Sequence, residues 1–193
     1  SITSVKLFFD EPVNRAALVS IGNYTFSNGI VLQAGTQFTV NDDSTEVNIP
    51  LPDTLQLKII YTVTVSAAIA DCAGNSISSF NSASFGLPEE PDYNDVVINE
   101  ILYDPISGGT DYVEIYNRSN KVIDLSQLIL SAKDTVTDEL KSLSTIAIEG
   151  YGLLPEKYLL LSENSEVVKS QYASSNPQGF WQMSSIPSFN ITD

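Results

Sequence analysis

Glu100, Asp104, Asp111 and Glu114 lie on either side of a Gly-rich turn within DVVINEILYDPISGGTDYVEIYNRS, Asp95 to Ser119. Two carboxylates on neighbouring strands, here Glu100 and Glu114, can sit at the separations glycosidases use for acid/base work. Asp104, Asp111 and Glu114 form a second constellation, a set of hard oxygen ligands that could approach a calcium ion across the turn. A further acidic group, Glu89, Glu90, Asp92 and Asp95, could add Asp71 and Asn75 if the DCAGN turn points towards it. Neither calcium group has the fixed oxygen spacing of an EF-hand. The chain has no histidine, which excludes Ser-His and Cys-His nucleophilic arrangements. With Cys72 as its one cysteine, it has neither a zinc ligand set nor an internal disulfide. No histidine or adjacent lysine is present to lower the Cys72 pKa, so that residue reads as a packed or half-exposed thiol. The expected role of Glu100 and Glu114 is therefore turn and cross-strand hydrogen bonding. No catalytic residue and no cofactor are expected, and calcium at Asp104, Asp111 and Glu114 is the one metal candidate.

The chain must position these acids with strands. Val, Ile, Thr, Tyr and Phe dominate most windows, and 42% of the 193 residues are hydrophobic, enough for a real core and two small domains. The class is all-β. The formal charge of −15, from 24 acidic and 9 basic residues, repels phosphate backbones, so nucleic acid is not an expected partner. That charge is uneven: residues 1–87 carry 7 acids and 3 bases, and residues 88–193 carry 17 and 6. No run approaches the ~18 apolar residues of a membrane span, so no transmembrane segment is expected. SITSVKLFF lacks the basic and long apolar regions of a signal peptide, so an export signal would lie outside this sequence.

VKLFFD alternates as a half-buried strand ended by Glu11-Pro12. Short strands follow at Tyr24 to Phe26, Ile30 to Leu32, Thr36 to Val40 and Glu46 to Ile49, separated by SNG and NDDS turns, a spacing that suits a sandwich. KIIYTVTV, Lys58 to Val65, should turn Ile59, Tyr61, Val63 and Val65 inward. Gly74 of DCAGN can take positive φ cheaply, and a last strand is expected near Ser79 to Phe85. FDEPVN, Asn23-Tyr24, NDDSTEV, YTVTV and DCAGN occur in the order seen in bacterial surface-layer-type Ig-like domains, and residues 1–87 resemble that family.

LPEEPDYND has the composition of an extended, solvated connector, placing an acidic Pro-rich linker at 88–95. Beyond it, Val96 to Tyr103 and Asp111 to Tyr116 read as a hairpin with Val113 and Ile115 on one face. Further strands are expected at Val122 to Leu125, Leu128 to Ser131, Leu143 to Ile148 and Lys157 to Leu161. SENSEVVKSQY is the one expected helix, capped by Ser162 or Asn164, with an inward stripe of Val167, Val168 and Gln171. Phe180 and Trp181 are consecutive and should point to opposite faces of a strand, which favours packing over a flat aromatic platform.

The hairpin stretch, LPEKYLLL before the helix, Phe180-Trp181 and Pro187 to Asn190 together resemble a lamin-tail domain over residues 96–193. That family is an Ig-like β-sandwich of nuclear lamins and of bacterial envelope proteins. The resemblance implies two Ig-like sandwiches in tandem, the second with one short helix. Such domains usually continue into further strands beyond the position of Asp193. The second sandwich is therefore expected to be incomplete and to expose a sheet edge that pairs copies as a homodimer.

The resemblance further implies an exported protein, periplasmic, cell-surface or extracellular in a Gram-negative bacterium. Its expected role is a non-catalytic structural, adhesion or scaffolding module whose partner is a protein or a surface glycan. The alternative is an accessory or carbohydrate-binding module beside a nuclease or hydrolase, for which a coplanar pair of exposed aromatics would speak. Asn23, Asn117 and Asn190 open N-glycosylation sequons, and Asp43-Ser44-Thr45, Asp53-Thr54-Leu55 and Asp134-Thr135-Val136 match a short O-glycosylation pattern.

Overall fold

The computed structural model describes residues 2–77, 79–174, 176 and 178–187, and the chain divides into two compact units, Ser1–Leu87 and Pro88–Asp193. In the first unit β1 (Ser4–Phe8), β3 (Thr39–Val40) and β4 (Glu46–Pro50) form one antiparallel sheet in the order β1-β4-β3. A second antiparallel sheet has the order β2-β5-β6, from β2 (Tyr24–Phe26), β5 (Ile60–Val65) and β6 (Ser82–Gly86). Leu7, Val40, Val47 and Ile49 of the first sheet share one buried cluster with Tyr24, Val63 and Val65 of the second, which makes the pair a sandwich. Tyr61, Val63 and Val65 are buried, as the alternation in KIIYTVTV predicts. Gly74 has φ +91°, a turn conformation that L side chains resist.

The run Ile30 to Leu32 departs from expectation and is not a strand. Asn28 and Gly29 both have positive φ, and Ile30 N–H closes that turn onto the Ser27 carbonyl at 3.3 Å, so the run is too short for a ladder. Its apolar character is used instead by burying Ile30 with Leu55 and Tyr61. A short helix not foreseen in the sequence, α1 (Arg15–Leu18), is capped by Asn14, whose Oδ1 accepts from the Ala16 and Ala17 N–H groups. Arg15 donates to the Val40 and Asn41 carbonyls at 3.0 and 2.6 Å, tying this helix to the end of β3. Tyr24 donates to the Leu18 carbonyl at 2.8 Å, and burial pushes its phenol above the ordinary value. Cys72 is exposed rather than packed, because it sits at the tip of the DCAGN turn held by the Asp71 carboxylate.

The second unit is built on a four-stranded sheet, β14-β13-β8-β7. Its strands are β7 (Val96–Leu102), β8 (Tyr112–Asn117), β13 (Tyr158–Ser162) and β14 (Phe180–Gln182). β7, β8 and β13 are antiparallel to their neighbours, while β14 runs parallel to β13. A parallel neighbour needs a crossover, and α2 (Ser165–Gln171) supplies it. Asn164 caps α2 by accepting from Val167 N–H at 3.2 Å, and Ser165 and Val168 form its buried side. Two smaller pairs complete the unit: β9 (Ile123–Asp124) with β12 (Gly152–Leu153), and β10 (Ile129–Lys133) with β11 (Leu140–Thr145). Val113 and Ile115 of β8 pack with Leu130, Leu153, Leu159 and Leu161.

Residues 88–95 are fastened to this unit. Pro88 bridges Val122, Glu89 N–H donates to the Val122 carbonyl, and Lys121 Nζ meets Asp92 and Asp95 at 2.6 and 2.7 Å. The Lys121 ammonium lowers the Asp95 pKa, and the two aspartates raise that of Lys121. At the turn of the β10–β11 ribbon, Lys141 and the Thr137 and Val136 N–H groups hold the Asp134 carboxyl at a pKa of about 2.

At the centre of this unit lies Asn117, fully buried. Its Nδ2 donates to the Lys121 and Leu153 carbonyls at 2.8 and 2.9 Å, and its Oδ1 accepts from Ser119 N–H and Oγ at 3.0 and 2.7 Å. Asn117→Ala leaves the buried Leu153 carbonyl and the part-buried Lys121 and Ser119 groups without this partner and should cost the second unit about 3 kcal/mol, against under about 1 kcal/mol for Asn99→Ala on the exposed surface. Denaturant unfolding followed by the fluorescence of Trp181, which packs in the same unit, measures both.

Candidate functional site

The outer face of the four-stranded sheet carries two of the acids singled out in the sequence, Glu100 and Glu114. Alternation sends Val113 and Ile115 of β8 into the core and Tyr112, Glu114 and Tyr116 outward. Opposite them on β13 stand Ser162, Leu160 and Tyr158, and Phe180 of β14 is the partner of Leu160. On the other side of β8, a β-bulge between Ile98 and Glu100 inserts Asn99 into β7, so that Glu100 pairs directly with Glu114. Two like charges face each other there, and neutral donors hold them. Asn99 Nδ2 donates to Glu114 Oε1 at 2.7 Å, and Tyr112 OH donates to Glu100 Oε1 at 2.5 Å. Burial, then the Glu100 carboxylate, push the Tyr112 phenol above its ordinary value. Glu100 and Glu114 thus make the cross-strand hydrogen bonds expected of them.

Beneath α2 this face forms a cleft of about 420 Å³, with Tyr112, Tyr158, Tyr172, Phe180, Glu114 and Glu156 among its walls. Tyr158 stacks on Tyr116 at 4.4 Å and 25°, while Tyr172 meets Tyr112 edge-on at 6.2 Å and 80°. The Lys169 ammonium lies 5.5 Å from the centroid of the Phe180 ring and pairs with Glu166 at 2.7 Å. Trp181 goes the other way, as consecutive strand residues must. It packs against the core, donates from Nε1 to the Ile146 carbonyl at 2.7 Å and lies against Tyr151 at 4.4 Å. Glu156 and Tyr158 escaped notice in the sequence, although the alternation of Tyr158 and Leu160 with buried Leu159 and Leu161 carries the signal.

Comparison with protein families matches residues 1–86 to the Bacterial Ig-like domain family and residues 89–184 to the Lamin Tail Domain family. The chain is a bacterial Ig-like domain followed by a lamin tail domain. Both halves are β-rich, in keeping with an all-β fold. Searches of curated proteins and of solved structures return no significant match.

In the lamin tail domain, Asp104 lies in the connection after β7 and Asp111 just before β8, where the Asp111 carbonyl accepts from Ser162 Oγ at 3.0 Å. Glu114 is engaged by Asn99. Among the described residues no group of three or more acidic or cysteine side chains is arranged to hold a metal ion. In the other acidic group, Asp92 and Asp95 hold Lys121, and Asp71 accepts from Ala73 N–H, Asn75 N–H and Asn75 Nδ2. Asn117 is sealed inside, and Asn23 Nδ2 donates to the Ala17 carbonyl at 2.8 Å. Asn190 and most of the Pro187 to Asn190 turn lie outside the described residues. Asp53, Thr54 and Leu55 line a separate cleft of about 400 Å³ on the Ig-like domain, with Asn28 and Tyr61. Calorimetric titration of demetallated protein with calcium up to millimolar concentration should give no site-specific heat, and Asp104→Asn should leave the trace unchanged.

Proposed function

We propose that the chain is a non-catalytic scaffolding or adhesion module of an exported bacterial envelope protein, presenting neighbouring domains or holding a partner at the cell surface. The observation that carries this reading is the fate of the paired acids. Glu100 and Glu114, the carboxylates paired across β7 and β8, are each bound to a neutral side chain of the neighbouring strand. The tandem of a bacterial Ig-like domain and a lamin tail domain supports it, and so does the acidity of the chain, which keeps a surface protein soluble and away from anionic polymers. The boundaries we propose are an Ig-like domain at 1–87, a connector at 88–95 and a lamin tail domain from 96 onward.

A second reading, an accessory module that binds a protein or glycan for an attached nuclease or hydrolase, is favoured by the cleft beneath α2, since ligand sites are concave and rich in aromatic side chains. A pairing of copies through β7 belongs with the first reading. β7 is the end strand of its sheet, and Ile98 and Ile101, whose partners Ile115 and Val113 are buried, are themselves 55% and 42% exposed.

Shaving of intact source cells with protease should remove the protein from the surface, and protection until lysis would contradict the reading. Light scattering should give twice the monomer mass, and Ile101→Lys, which places a charge on the free edge, should return it to the monomer.

A further inference from the structure

We propose that the cleft beneath α2 receives a lysine or arginine side chain of a partner protein. The inference rests on the reading of the lamin tail domain as a binding module and names the chemistry of its partner. The cleft combines two acceptors of positive charge, ring faces and carboxylates, in one concave site. Tyr158 and Tyr172 supply rings, and Glu114 and Glu156 supply charge. Among the described residues neither glutamate takes part in an ion pair. Asn99 fixes one oxygen of Glu114 and brings no charge, so the carboxylate keeps its negative charge and its second oxygen for a cation. Lys157 lines the cleft and Lys169 stands at its wall paired with Glu166, so Glu114 and Glu156 outweigh Lys157 and the site is net negative.

The chain already uses the same recognition at the cleft wall. Lys169 rests over Phe180 with Glu166 as its counter-charge, which is how an ammonium is held between a ring and a carboxylate. A neutral sugar is less well served. Tyr158 spends a face on Tyr116 and Tyr172 is engaged edge-on by Tyr112, so both rings already have an aromatic neighbour. The volume of about 420 Å³ admits a guanidinium and its methylene stem. The excess of acids over bases in residues 88–193 adds long-range attraction for a cationic partner.

The test titrates the full chain with a capped Gly-Ser-Arg-Ser-Gly peptide, its lysine and glutamine counterparts, and a neutral cello-oligosaccharide, read by amide chemical shifts. Saturable shifts of Leu160, Tyr172 and Phe180 with the arginine and lysine peptides, absent with the glutamine peptide, are expected. Glu114→Gln keeps an acceptor for Asn99 and should weaken binding about tenfold, as loss of a charge-assisted hydrogen bond does. Asp43→Asn, the same charge change on a turn of the Ig-like domain, should leave it unaltered. Equal weakening by both variants, equal binding of the glutamine peptide, no binding at millimolar peptide, or occupation of the cleft by the oligosaccharide instead would each overturn the inference. Occupation of the cleft by the oligosaccharide would overturn the inference and leave the binding-module reading standing, so the two fail separately.

Discussion

The lamin tail domain is organised around one buried amide. Asn117 ends β8, and its backbone closes the ladder to the neighbouring strand, donating to the Lys157 carbonyl and accepting from Glu156 N–H. Its side chain reaches the other way, to the Lys121 and Leu153 carbonyls and to Ser119. One residue thereby joins the large sheet, the turn after it and the β9–β12 pair. No apolar side chain could do so, because the Leu153 carbonyl is removed from water and needs a partner, and an apolar side chain offers none to the part-buried turn either. Lys121, placed by this turn, then gathers Asp92 and Asp95 and fixes the entry into β7. The acidic connector is held by Val122 and by Lys121, both of them in the segment that follows the turn Asn117 organises.

The same economy explains how the sheet tolerates two glutamates face to face. Like charges in register on adjacent strands repel. The inserted Asn99 supplies a donor on that side, and Tyr112 supplies a second from the next outward position of β8. Neither donor is charged, so the pair is held without being neutralised. The result is a negative, geometrically fixed face at the mouth of the cleft. A lysine in place of Asn99 would hold Glu114 just as firmly and would cancel the field that a cationic ligand requires.

Much of this was legible as pattern. The inward set of KIIYTVTV, the Asn164 cap of α2, the hairpin founded on DVVINEILYDPISGGTDYVEIYNRS and the opposite destinations of Phe180 and Trp181 all follow from periodicity and cap chemistry. What was not legible depends on pairs distant in sequence. Ile30 looks like a strand residue because burial alone selects an isoleucine, and only its packing on Leu55 and Tyr61 shows that a loop delivers it. Asn117 reads as a turn residue or a glycosylation acceptor, since its sequence neighbours say nothing of Leu153 or Lys157. The bulge at Asn99 is invisible for the same reason: register is a property of two strands, and a one-residue insertion in one of them leaves no local mark.

The cleft itself follows from topology. β14 runs parallel to β13, and a parallel neighbour requires the chain to cross over one face of the sheet. α2 makes that crossing on the outer face and buries only Ser165 and Val168 along its length. So short a helix covers only part of the face it crosses, and Tyr158, Glu114 and Phe180 line the hollow left beneath it. A tight β13–β14 hairpin would have given an antiparallel edge and a flat outer face. Strand direction at the edge of the sheet is thus what turns an ordinary solvent-facing surface of the lamin tail domain into a concave one with acids and rings in its walls.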